Sequence, residues 1–207
     1  DFDVLQEDHL ANKRKEKVRM RTYLSNPKTD SQVFLEIKTK DQEGVGRKFR
    51  LLSTPISILN FMTKGHLDAS ITDTVVIEKV KKIHQDYKQA IKPRMYIYYD
   101  RYSLKEKKYI EGYDYNKIRI TIDQNLIYRD ENVSLFAGNQ GAPLLDDNTV
   151  IMEIKAPGNK PQWLQDILDK YGLMEHKFSK YSCAYHKSQG LPYAPRPSIE
   201  SAGTAYA

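Results

Sequence analysis

The sequence has one cysteine, one tryptophan and no apolar run long enough to cross a membrane. Because Cys183 stands alone, an intrachain disulfide and a zinc site built from several cysteines are both excluded. A membrane-spanning helix needs about 20 predominantly apolar residues in succession, and the apolar runs here are far shorter. A lone cysteine suits a reducing compartment, so we expect a cytoplasmic protein with no membrane span in this chain.

What the chain does contain is a globular composition with a modest basic excess. Of its 207 residues, 40% are hydrophobic and 29% charged, which excludes a wholly disordered chain and a coiled coil. Lys and Arg number 33 against 27 Asp and Glu, for a net charge of +6. This excess favours an anionic partner, such as a phosphate compound, nucleic acid or an acidic lipid surface, without choosing among them.

Period-two alternation of apolar and polar residues predicts six strands. We expect them at residues 17–24, 33–40, 47–52, 94–104, 117–122 and 150–156. Helical spacing of apolar residues predicts helices at 55–62, 74–91 and 161–171. Thr72 and Asp73 can cap the second of them, and one face of the third is expected to carry Trp163, Leu164, Ile167 and Leu168. After residue 187 the chain is rich in Gly, Pro, Ser and Ala. We therefore expect a single domain over residues 1–187 and a disordered tail over 188–207.

The polar faces of the predicted strands are repeatedly cationic. Arg19 and Arg21 share one face of the first strand, and Lys48 and Arg50 share one face of the third. Like charges placed together repel one another unless an anion lies among them. Either the cations line the solvated face of an open sheet, or the sheet curls into a barrel with the cations inside, where guanidinium groups would hold a polyanion by its phosphate oxygens. Alternation alone leaves both arrangements open.

Six segments, in order, resemble the VTC-type polyphosphate polymerase domain, and its bacterial members in particular. The segments are 17–23 (KVRMRTY), 35–39 (LEIKT), 98–101 (YYDR), 118–123 (IRITID), 151–155 (IMEIK) and 176–181 (HKFSKY). This family belongs to the triphosphate tunnel metalloenzymes, the CYTH-like superfamily. The resemblance implies an α+β fold, an antiparallel β-barrel or tunnel with a charged interior and helices packed on the outside.

The same resemblance implies an ATP–polyphosphate phosphotransferase. Such an enzyme moves the γ-phosphate of ATP to a growing polyphosphate chain and releases ADP, with Mn²⁺ or Mg²⁺ as cofactor. ATP and inorganic polyphosphate would be its ligands, inositol phosphates are candidate regulators, and no nucleic-acid partner is expected. Two alternatives stay open: a tunnel-fold triphosphatase or cyclase-like nucleotide enzyme, and a non-catalytic module that binds polyphosphate, inositol phosphates or RNA.

Matching the segments position by position implies a set of phosphate-binding cations and one metal ligand. The implied catalytic residues are Arg19, Arg21, Lys38, Arg101, Arg119 and Lys180. Further phosphate contacts are expected from Lys48, Arg50, Lys155 and Lys177. The resemblance implies that Glu153 binds the metal. Glu36 is open to two interpretations, a second metal ligand or a partner of a neighbouring arginine, and Lys155 either reaches phosphate or neutralises Glu153.

The family's first strands have no counterpart in this sequence, which starts at Asp1. We therefore expect that N-terminal strands of the domain are missing from it. A barrel short of strands has unpaired edges and an open bore, which leaves open whether the chain by itself is active.

Overall fold

Antiparallel strands and short helices alternate along the chain in the computed structural model, which describes residues 15–40, 46–87, 91–105, 118–156 and 160–197. The strands are β1 Lys15–Arg21, β2 Val33–Lys40, β3 Gly46–Ser53, β4 Tyr96–Lys105, β5 Arg119–Arg129, β6 Ala142–Pro143, β7 Ile151–Lys155, β8 His176–Lys177 and β9 Arg196–Pro197. The helices are α1 Pro55–Lys64, α2 Thr74–Asp86, α3 Gln162–Lys170 and α4 Lys180–Ser188. None of these described helices combines the length and the apolar character that crossing a membrane requires.

The strands belong to three sheets. β1, β2 and β3 form an antiparallel sheet, β4, β5 and β6 form another in which β7 also pairs with β5, and β8 pairs with β9. This confirms the mixed α+β class with antiparallel sheets. Within the described ranges these sheets are separate and do not make a closed barrel, so barrel closure stays a prediction. The chain divides into two compact units: the first comprises residues 1–96 and 129–140, and the second comprises 97–128 and 141–207.

The core of the first unit lies on one face of its three-stranded sheet. Val18 and Met20 of β1, and Leu35 and Ile37 of β2, are at most 2% exposed. They are the apolar members of the predicted alternation, and strand geometry directs alternate side chains to the same face. Ile58 and Phe61 of α1 and Val76, Val80 and Ile83 of α2 are buried as well, and α2 contacts β3. The two helices thus supply apolar side chains to this core and leave the other sheet face for polar residues.

Local capping explains where these two helices begin and end. The Thr54 hydroxyl accepts a hydrogen bond at the start of α1, and Gly65, with φ 69°, closes its other end in the left-handed conformation. The Asp73 carboxylate caps α2 as the sequence predicts, by accepting from the Val76 amide at 3.0 Å. Tyr87 adopts an extended backbone, and α2 therefore ends before the predicted residue 91. Residues 88–90 lie outside the described residues.

Two features of the second unit differ from expectation. In α3, Leu164 and Leu168 are buried, but Trp163 and Ile167, predicted on the same face, are 46% and 45% exposed. Helix α4 was not among the predicted helices. It begins after Ser179, whose hydroxyl accepts a hydrogen bond from the Ser182 amide, which satisfies a donor that the helix itself leaves unpaired.

The segment after α4 makes contacts as far as the structure describes it. The Ser179 amide donates to the Tyr193 hydroxyl at 2.9 Å, and the Leu191 amide donates to the His186 carbonyl at 2.8 Å. Residues 198–207 lie outside the described residues, so disorder of the tail stays a prediction there.

Candidate functional site

The first sheet presents a cationic face opposite its apolar core. Three rows cross the sheet in register: Lys17, Lys38 and Lys48; Arg19, Glu36 and Arg50; and Arg21, Phe34 and Leu52. Residues paired across strands point to the same side, so all the predicted cations of this unit share one face. The alternation read from the sequence is therefore confirmed in β1, β2 and β3.

A buried carboxylate, Glu36, lies at the centre of this cationic face. Its side chain is 1% exposed. Arg19 Nε donates to Glu36 Oε2 at 2.6 Å, while Lys48 Nζ and Arg50 Nε lie 2.7 and 3.2 Å from Oε1. Burial alone would raise the pKa of Glu36, but Lys48 and Arg19 outweigh burial and lower it to about 2. The ionised carboxylate thus holds cations from both neighbouring strands, and the ion pair left open by the sequence is present.

In the second unit, Asp123 of β5 is a second buried carboxylate that is surrounded by cations. It is fully buried and accepts from Arg101 Nε at 2.5 Å and from Arg101 Nη2 at 2.7 Å. Lys180 Nζ, from the first residue of α4, lies 2.6 Å from Oδ2. Both cations lie near the ring of Tyr99, at 5.2 and 4.9 Å from its centre. Asp123 therefore joins a strand and a helix terminus that the sequence separates widely.

The protonation states follow from these contacts. Burial opposes ionisation of Asp123, but the hydrogen bonds from Arg101 and Lys180 prevail and lower its pKa. The hydrogen bond to Asp123 in turn raises the pKa of Arg101. Arg101 and Asp123 are therefore both charged at neutral pH. Their contact is a bidentate, charge-assisted ion pair, which is among the stronger hydrogen-bonded contacts in proteins.

Glu153, the predicted metal ligand, lies beside this cluster on β7. Lys155 Nζ is 3.1 Å from Glu153 Oε1, and Arg101 Nη2 is 4.0 Å from Oε2. Burial raises the pKa of Glu153, but Lys155 and Arg101 lower it by a larger amount. The pKa of Glu153 therefore lies below its usual value. Arg119 lies opposite Lys155 in register, and both side chains are exposed. Lys155 thus pairs with Glu153, one of the two roles that the sequence left open.

The residues around Glu153 fit a divalent metal ion that is held mainly by its substrate. Glu153 offers an ionised carboxylate with 45% of its side chain exposed. Its cross-strand partner Thr121 has a buried hydroxyl oxygen that lacks a hydrogen-bond partner in the described part of the chain. Those same described ranges contain no group of three or more His, Cys, Asp or Glu side chains suited to a metal. Mg²⁺-like ions commonly use one or two carboxylates and take their other ligands from phosphates and water.

The remaining predicted cations occupy more exposed positions. Lys38 lies in the lysine row of the first sheet, between β1 and β3, and is exposed. Lys177 lies on β8, opposite Arg196, in a different sheet from Arg101 and Arg119. The residue that sequence reasoning missed is Asp123. It lies on the same period-two face of β5 as Arg119, and an acidic residue on the face of that predicted phosphate-binding arginine was the available signal.

Residues 1–188 match the family model described as the VTC domain. No curated protein and no solved structure gives a match. The family match spans almost the whole chain, including both carboxylate-centred clusters, and confirms the resemblance read from its motifs. The chain belongs to the VTC domain family, whose members include polyphosphate polymerases.

Proposed function

We propose that this domain transfers the γ-phosphate of ATP to the end of an inorganic polyphosphate chain and releases ADP. The observation that carries the proposal is the Arg101–Asp123–Lys180 cluster with Glu153 beside it. Two cations held at short distance by one buried carboxylate form a rigid positive site, and rigid positive sites suit the anionic oxygens of a phosphoryl group.

The reaction needs positioning and charge neutralisation more than covalent help from the protein. An oxygen of the terminal chain phosphate attacks the γ-phosphorus, and a new P–O bond forms there. The bond from the γ-phosphorus to the bridging oxygen breaks, and its electron pair leaves with ADP. Because the attacking phosphate is already anionic at neutral pH, no strong general base is required, which agrees with a site composed mostly of Arg and Lys.

Each group has a separate role in this proposal. Arg101 and Lys180 bind phosphate oxygens and absorb charge as the γ-phosphoryl group moves, while Asp123 fixes their positions without touching the substrate. Glu153 would hold the divalent ion, which when bound would supply positive charge to neutralise the phosphates. Arg119 and Lys155 extend the positive surface along β5 and β7. The closed, cation-lined tunnel implied by the family resemblance is part of the same proposal.

The decisive experiment incubates the natural protein that contains this domain with ATP and Mn²⁺ and resolves the products on a gel. Polyphosphate ladders together with ADP would support the polymerase. Free phosphate without ladders would identify a triphosphatase instead, and ligand binding without turnover would identify a binding module.

Arg119→Ala tests the site assignment. Arg119 is exposed, so its replacement should leave the fold intact. Polyphosphate synthesis should fall by at least about tenfold, because removing one preorganised charge-stabilising group costs about 10²-fold in rate. Arg47→Ala is the matched control, because Arg47 is an exposed strand arginine that alternates to the face opposite Lys48. Equal activity in both variants would contradict the assignment of Arg119.

A further inference from the structure

Two aromatic rings lie at one end of the first sheet's cationic face. Phe34 lies opposite Arg21 in register, and Tyr23 follows two residues after Arg21. The two rings meet edge to face, with centres 6.0 Å apart and planes at 76°. Phe34 is therefore in the row next to the one that contains Arg19, Glu36 and Arg50, and Tyr23 lies one step beyond Phe34.

Two arginines hold these rings in place. The guanidinium carbon of Arg50 lies 3.7 Å from the centre of Phe34, and that of Arg21 lies 4.6 Å from the centre of Tyr23. Arg50 Nη2 also donates to the Tyr23 hydroxyl at 3.3 Å. The same Arg50 is an ion-pair partner of Glu36. One side chain thus connects the buried carboxylate to the aromatic pair.

The Tyr23 side chain contacts Arg21, Arg50 and Phe34 and is yet 67% exposed, and the chain that follows it is hydrogen-bonded. The Leu24 amide donates to the Thr22 hydroxyl at 3.0 Å, and the Asn139 side chain donates to the Ser25 carbonyl at 2.9 Å. Asn139 in turn accepts from the Tyr96 hydroxyl at 2.8 Å. A large aromatic surface that is both exposed and held costs little entropy when a flat ligand stacks on it.

The order of aromatic and cationic side chains along this face matches the order of the base and the phosphates in a nucleoside triphosphate. Residues two apart on a strand lie about 7 Å from each other, so Phe34 is one step from the arginine row and two steps from the lysine row, and Tyr23, two residues beyond Arg21, is one step further out. A nucleotide likewise has a flat base at one end and, beyond one sugar, a chain of anionic phosphates. Aromatic rings interleaved with arginines are the usual means of binding a base by stacking.

We propose that Tyr23, supported by Phe34, Arg21 and Arg50, is a nucleobase-stacking subsite that binds the adenine of ATP. The identity of the ligand rests on the proposed function, whereas the subsite itself is defined by these contacts. Every base has a π-face, so stacking alone discriminates weakly among bases. The subsite therefore sets the direction of the nucleotide, with its base on Tyr23 and its phosphates leading away from that ring, and accepts GTP nearly as well as ATP.

The test compares the binding of ATP with that of inorganic tripolyphosphate, which has the phosphates but no base. Isothermal titration of each ligand against the full protein should show that Tyr23→Ala weakens ATP binding roughly 5- to 100-fold and leaves tripolyphosphate binding unchanged. Tyr23→Phe keeps the ring and should retain most of the ATP affinity. Tyr171→Ala is the matched control, because Tyr171 is also 67% exposed with a lysine ammonium, that of Lys170, 5.6 Å from its ring centre.

Each outcome supports or overturns the subsite. If Tyr23→Ala weakens both ligands equally, Tyr23 acts only by placing Arg21 and Arg50, and the stacking role is wrong. Unchanged ATP binding in that variant, or a wild-type protein that binds tripolyphosphate but gains nothing from the base, also overturns it. If the selective loss occurs in a protein that makes no polyphosphate ladders, the subsite stands and the proposed polymerase activity fails.

Discussion

Replacing Asp123 by Ala is the sharpest test of how the second unit holds its cations. Asp123 is fully buried. Its carboxylate accepts three contacts of 2.5 to 2.7 Å, from Arg101 Nε, Arg101 Nη2 and Lys180 Nζ. Without the carboxylate, the two cations remain close together, and the nearest remaining counter-charge is Glu153, 4.0 Å from Arg101 Nη2. Removing one partner of a buried ion pair costs about 3–5 kcal/mol, far more than the pair contributes when compared with an apolar replacement.

The expected loss lies near the lower end of that range. Arg101 and Lys180 keep 24% and 22% of their side-chain surface exposed, so water stabilises part of the uncovered charge. We therefore expect Asp123→Ala to lower the free energy of unfolding by about 3 kcal/mol. Adding Arg101→Met to the same chain should recover part of that loss, because it removes one of the uncompensated charges.

Urea unfolding at pH 7 measures both effects as shifts of the midpoint at constant slope. Glu78→Ala is the control: Glu78 pairs with Lys81 at 2.9 Å, but the two side chains are 70% and 56% exposed. An exposed pair of this kind contributes about 0–1 kcal/mol. If Asp123→Ala costs no more than Glu78→Ala, the reasoning that Asp123 organises Arg101 and Lys180 is refuted.

Two further predictions concern the first unit and the turn before β6. Because the pKa of Glu36 falls from 4.5 to about 2 on folding, its ion pairs stabilise the fold above about pH 4.5, and this contribution is lost as the pH falls towards 2. The stability difference between wild type and Glu36→Gln, from urea midpoints, should be constant above pH 5 and shrink below it; a difference that does not depend on pH contradicts the ion pairing. A Cβ at Gly141 would lie 2.4 Å from the Tyr128 carbonyl oxygen, whereas one at Gly46 meets nothing within 4 Å. Gly141→Ala should therefore lower the thermal midpoint, with a cost of about 1–3 kcal/mol, and Gly46→Ala should not; equal midpoints would contradict the close approach.

Much of the first sheet could be predicted from local pattern. The alternation of Val18 and Met20 with Arg19 and Arg21 has a period of two, and that period by itself separates a core face from a polar face. The six motifs, taken in order, also identified the family, because each is a short run of residues that can be recognised without knowing what lies far along the chain. The caps of α1 and α2 were equally local.

Where prediction failed, the cause was packing between distant segments. The sequence shows four apolar residues on α3, but neighbouring elements cover only Leu164 and Leu168, because the width of the buried stripe depends on what packs against the helix. Helix α4 has weak amphipathic character and begins at a serine cap, a signal too common to identify a helix without its tertiary contacts.

The sequence by itself determined the family, the class of fold and which faces of β1, β2 and β3 are cationic, because all three depend on short-range order. Only the tertiary structure decided which cations gather on which carboxylate. Glu36 reaches Arg19 across one strand pair and Arg50 across another, and Asp123 reaches Lys180 of α4, far along the chain. These encounters are set by strand register and by the placement of a helix terminus, and a side-chain contact between distant segments leaves no trace in local periodicity.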